Sequence, residues 1–85
     1  MSKTIRFTGC RDSELMASLC MSGHDCSEGS VTKKTDILLI PYEGFSSTKV
    51  DKAIEYNSKV NNSHIIKIIP IQEFYLNQNT YLGEV

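Results

Sequence analysis

The sequence has no tryptophan, only two prolines and only three cysteines in 85 residues. Cys10, Cys20 and Cys26 form no C-x-x-C pair, and an odd set of spaced thiols does not make a secreted disulfide framework. A reducing intracellular compartment, nucleus or cytoplasm, is expected instead. Long apolar runs are also missing: no stretch approaches the roughly 20 apolar residues of a membrane span, and MSKTIRFTG lacks the apolar core of a secretory signal. Neither sign of charge dominates. The net charge of −1 and isoelectric point near 6.1 exclude a protein that coats nucleic acid by bulk electrostatics, although local basic patches are compatible with them. Repeats and low-complexity segments are absent. What remains is ordinary globular composition, 40% hydrophobic and 22% charged, enough for one domain with one small core.

KTIRFTG alternates, with Ile5 and Phe7 on one side and Thr4, Arg6 and Thr8 on the other, so it predicts a half-buried strand ended by Gly9. DSELMASLCMSG offers Asp12 or Ser13 as N-cap and sets Leu15, Met16, Leu19 and Cys20 at helical spacing before Gly23. A first helix with those apolar residues in the core is expected. The polar, turn-rich HDCSEGSVTKKT leaves room for one brief strand around residues 24–27. DILLIP is a short continuous apolar run, and predicts a central strand from Ile37 to Ile40 buried on both faces. SSTKVDKAIEYNSKV starts a second helix near Ser47 with Val50, Ala53 and Ile54 inward. HIIKIIPI predicts a last, fully apolar strand with Ile68 buried, and Pro70 opens a helix carrying Ile71, Phe74 and Tyr75 inward. The order β-α-β-β-α-β-α implies an α/β fold, a four-stranded, mostly parallel sheet flanked by three helices. Residues 3–79 are expected to form the single domain and 80–85 a loosely held C-terminal tail.

FTGCRDSEL, SVTKKTDILLI, SSTKVDKAIEY and IIKIIPIQEF, in this order and at these separations, resemble the BRCT domain, a module associated with phosphoproteins and DNA breaks. Among its relatives the chain is most similar to the BRCT domain at the C-terminus of NAD-dependent DNA ligases. The resemblance spans about residues 3–76, and its fold agrees with the order read from periodicity. The chain departs from the pattern in three places. It has Ser22-Gly23 where the family commonly has a glycine pair, Phe74 where a tryptophan is frequent, and a longer connection, SKVNNSHIIKI, before the last strand.

The resemblance implies a non-catalytic interaction module that docks on a DNA repair or replication protein through a phosphorylated residue. The phosphate would be held by Thr8 and Gly9, the hydroxyl-glycine pair after the first strand, and by Ser47 and Lys49, the S-x-K of the second helix. That set makes chemical sense: a hydroxyl, a glycine amide, a helix N-terminus and an ammonium converge on a dianion. The plainer alternative is that Ser47 only caps its helix, Thr8 fixes a loop and Lys49 is solvated. A rival function is a DNA-binding accessory domain of a ligase-like protein, with Arg11, Lys33, Lys34 and Lys49 on the backbone or 5′-phosphate of nicked or broken DNA. A third is a homodimerising structural module.

Metal and enzyme chemistry find little support. Cys20, His24 and Cys26 are zinc-type ligands without a recognisable fourth. Cys10 lacks the arginine, beyond adjacent Arg11, that a phosphatase-like thiolate loop needs, and no G-x-x-x-x-G-K loop occurs. No cofactor and no catalytic residue are expected.

Overall fold

The computed structural model describes residues 3–10, 12–27, 29–59 and 65–82. Strand β1 (Thr4–Phe7) leads through helix α1 (Ser13–Met21) and strand β2 (Asp25–Ser27) to strand β3 (Ile37–Ile40). Helix α2 (Thr48–Asn57), strand β4 (Lys67–Pro70), helix α3 (Ile71–Leu76) and a five-residue helix α4 (Gln78–Leu82) follow. The sheet order is β2-β1-β3-β4, and every pairing is parallel.

β3 is the strand both layers share. Its side chains alternate between faces and none is more than 4% exposed, as a strand sandwiched between helices requires. Ile37 and Leu39 join Ile5, Phe7 and Ile69 under Leu15 and Leu19 of α1 and Phe74 of α3. Leu38 and Ile40 join Ile66 under Val50 and Ala53 of α2 on the opposite face. Phe7 and Phe74 are fully buried, each contributing roughly 1.5–3 kcal/mol. Phe74 thus fills the core from α3 without a tryptophan. In the segment read as a loose tail, α4 continues to Leu82 and Tyr81 stacks on Phe74 with ring centroids 6.1 Å apart.

Local chemistry sets the helix ends. Asp12 caps α1 by accepting the Leu15 N–H at 3.0 Å, and Ser47 caps α2 by accepting the Val50 N–H at 3.2 Å. Such caps are typically worth ~1 kcal/mol. One glycine suffices to close α1: Gly23, at φ +92°, directs its N–H to the Cys20 carbonyl while the His24 N–H reaches the Leu19 carbonyl, both at 3.0 Å.

Several inward-facing expectations need correction. Cys20 is exposed, because Leu15 and Leu19 define a narrow contact line and the next residue is turned about 100° from it; its thiol donates to the Cys26 carbonyl at 3.4 Å. Ile54, next to Ala53, is 51% exposed for the same reason. Tyr75 is 44% exposed, since six-residue α3 reaches the core through Phe74 and swings Tyr75 toward α1, where its hydroxyl donates to the Asp12 carboxylate. Ile68 is only half-buried and Lys67 is exposed, because β4 is an edge strand that α2 covers in part. No helix among the described residues is long and apolar enough to cross a membrane.

Candidate functional site

A sheet whose strands all run one way has two unlike ends, and strand C-termini and helix N-termini gather at one of them. Thr8 is fixed at that end. Its N–H donates to the Leu39 carbonyl at 3.0 Å, and the residue is 8% exposed. β3 leaves the sheet beside it, and the loop of residues 41–47 returns to start α2 there. The Thr8 and Ser47 hydroxyl oxygens are 2.8 Å apart, and Lys49 Nζ donates to the Phe7 carbonyl at 2.9 Å. Thr8, Gly9, Ser47 and Lys49 are therefore brought together, with Lys49 half-buried against the end of β1.

The hydroxyl pair has a useful property. Ser47 Oγ already accepts from the Val50 N–H, and within the pair one hydroxyl donates to the other. The second hydroxyl proton is left over whichever way the pair points, so the pair always retains one O–H to offer a ligand. The first turn of α2 adds its partial positive charge. Acidic residues also belong to this end: Glu43 in the loop and Asp51 in the first turn of α2 are both exposed.

Gly9, exposed and at φ +70°, carries the chain away from β1. Its lack of a side chain is required twice, by that dihedral and by Phe45, whose Cζ would lie 2.2 Å from an added Cβ. The Phe45 ring meets Tyr42 edge-on at 5.5 Å, and Tyr42 is 62% exposed. An aromatic pair thus borders Gly9, the residue after Thr8. Residue period gives no hint of it, because Phe45 and Gly9 belong to distant segments.

The other sequence candidates lie elsewhere. Lys33 and Lys34 are exposed on the turn that Thr35 braces, its hydroxyl accepting the Thr32 N–H at 3.0 Å. That turn precedes β3, which starts opposite Ile5, so it belongs to the strand N-terminal end. The length of the strands, on the order of 10 Å or more, separates it from Lys49. The basic set proposed for one nucleic-acid contact is thus split between two ends of the sheet, and Arg11 lies outside the described residues.

The Cys10 and Cys20 thiols and His24 Nδ1 each meet a backbone group. Burial pushes the Cys10 thiol up, and it donates to the Leu39 carbonyl at 3.7 Å. Burial pushes Cys26 up to about 11. The Lys3 N–H donates to His24 Nδ1 at 2.9 Å, occupying a lone pair that a metal would need. Cys10, Cys20 and Cys26 are all free thiols. Compared with known proteins, the chain matches no family model, no curated protein and no solved structure.

Proposed function

We propose that the chain is a non-catalytic, BRCT-like interaction module that docks on a DNA repair or replication protein by gripping one phosphorylated residue with Thr8, Gly9, Ser47 and Lys49. The observation that carries this reading is the convergence of the Thr8–Ser47 hydroxyl pair and the Lys49 ammonium on the end of β1. The four sequence segments that resemble BRCT domains support it, as does the parallel α/β sheet. The hydroxyl pair supplies a spare O–H, Gly9 an open backbone and Lys49 the charge, so a phosphate meets donors on several sides. Separation of Lys33 and Lys34 from Lys49 favours a single phosphate over a nucleic-acid backbone.

Titration with phosphoserine, followed by amide chemical shifts, tests the reading. Shifts should centre on Thr8, Gly9 and Ser47. Lys49→Ala should weaken binding by roughly ten- to a hundredfold, the value of one charge-assisted hydrogen bond. Serine without phosphate should give no shifts. Unchanged affinity in Lys49→Ala refutes the assignment, and a steep salt dependence with nicked DNA in place of phosphoserine would move it to the nucleic-acid reading.

A further inference from the structure

β4 is an edge strand, and edges of this kind present backbone groups to any extended chain that approaches. Its pairing with β3 sets which groups point out. The Lys67 N–H donates to the Asp36 carbonyl at 2.9 Å, and the parallel register then turns Lys67 and Ile69 toward β3 and Ile66, Ile68 and Pro70 away. At Ile66 both outward groups are taken by one side chain. The Ile66 N–H donates to Asn57 Oδ1 at 2.8 Å, and Asn57 Nδ2 donates to the Ile66 carbonyl at 3.0 Å. The carboxamide occupies the place of a neighbouring strand's peptide. At the other end Pro70 has no N–H to offer. Only Ile68 presents an outward N–H and C=O with no partner among the described residues.

The strand between these stops is prone to pairing. Ile65, Ile66, Ile68 and Ile69 are β-branched and carry one charge between them, at Lys67. Ile65 is 55% exposed, and Ile54, one turn before Asn57 on α2, is 51% exposed, so apolar surface borders the edge. A net charge of −1 gives copies little mutual repulsion.

We infer that the outer edge of β4 is a latent pairing surface for β4 of a second copy of this chain, and that the Asn57 carboxamide keeps it closed by holding both backbone groups of Ile66. The second copy is favoured because the edge is self-complementary. In an antiparallel pair, Ile66 of each copy faces Ile68 of the other, and each such pair exchanges both of its backbone hydrogen bonds. With Asn57 in place that register is blocked at Ile66. The same register opposes Lys67 to its own copy, a like-charge contact that salt relieves.

Sedimentation of the full chain and of Asn57→Ala at matched concentrations tests this. The wild type should be monomeric. Asn57→Ala should form a concentration-dependent dimer that strengthens with salt and gains amide protection at Ile66 and Ile68. A folded Asn57→Ala that stays monomeric, or that dimerises with protection elsewhere, overturns the inference. Should that variant not fold, amide exchange on the wild type decides. The Ile66 amide should be protected roughly tenfold over that of Ile68, the value of about one hydrogen bond. Equal rates at the two amides would mean that Asn57 guards nothing.

Discussion

Gly9→Ala perturbs the candidate site without touching a charge or a hydroxyl, and its cost can be divided in advance. An L side chain at φ +70° costs roughly 1–2 kcal/mol. The new methyl would also lie 2.2 to 2.8 Å from Cζ, Cε2 and Cε1 of Phe45, so the ring must leave. That ring packs against the cluster under α2 and edge-on to Tyr42 at 5.5 Å; losing part of this contact costs roughly another 1–2 kcal/mol. Together the loss is roughly 2–4 kcal/mol, a large share of the roughly 5–15 kcal/mol that stabilises a domain. Urea denaturation of Gly9→Ala, Phe45→Ala and the double variant separates the parts. Without the ring there is no collision, so in the Phe45→Ala background the glycine substitution should cost only its backbone strain. The two changes should fall short of additivity by about 1–2 kcal/mol. Strict additivity, or a Gly9→Ala cost under about 0.5 kcal/mol, would refute the placement of Phe45 over Gly9.

The Tyr75 hydroxyl donates to Asp12, pushing the phenol from its ordinary 10.0 up to about 12 and holding the Asp12 carboxyl below its ordinary 3.8. Its stabilisation is therefore complete between those ordinary values, fades as pH rises through about 12, and fades below 3.8 as pH falls through the lowered Asp12 value. Tyr75→Phe should flatten the alkaline limb of the stability–pH profile and only reduce the acid limb, since the Leu15 and Glu14 N–H groups still hold the Asp12 carboxyl down; an unchanged alkaline limb would assign it to another group. Alkylation followed by mass spectrometry should modify exposed Cys20 first, half-buried Cys10 more slowly and Cys26 only through unfolding. Modification of Cys26 as fast as Cys20 would contradict the packing of β2 under α1.

DILLIP announces β3 because an uninterrupted apolar run this short suits a strand covered on both faces, and all four residues are buried. Ser47 is legible as a cap because the chemistry is local: a hydroxyl three residues before a free amide. Its meeting with Thr8 is not local: the resemblance names the two together, and parallel strands joined by helices bring the end of β1 beside the start of α2. Cys20, Ile54 and Tyr75 mislead for one reason. Periodicity assigns a broad apolar stripe to each helix, whereas these short helices touch a sheet of three- and four-residue strands through one or two buried side chains each. Phe45 over Gly9 and Asn57 on Ile66 leave no period at all, because each joins a side chain to the backbone of another segment.

The same parallel sheet constrains what a ligand can use. Lys49 belongs to the strand C-terminal end, while Lys33 and Lys34 belong to the N-terminal end, where Lys3 and Lys67 also border a cleft with Asp36 and Tyr81. A phosphodiester chain using both groups would have to run the length of the strands. α1 and α3 pack on one face and α2 on the other, so among the described residues a strand crossing either face between the two ends meets a helix. At the Lys49 end, Glu43 and Asp51 would oppose a row of phosphates, whereas one dianion can be met by the ammonium, the spare hydroxyl proton and the Gly9 backbone. On the reading proposed above, the ligand at this end carries a single phosphate rather than a nucleic-acid strand's row of them. Its binding should weaken only mildly with salt, because the logarithmic slope scales with the number of phosphates neutralised.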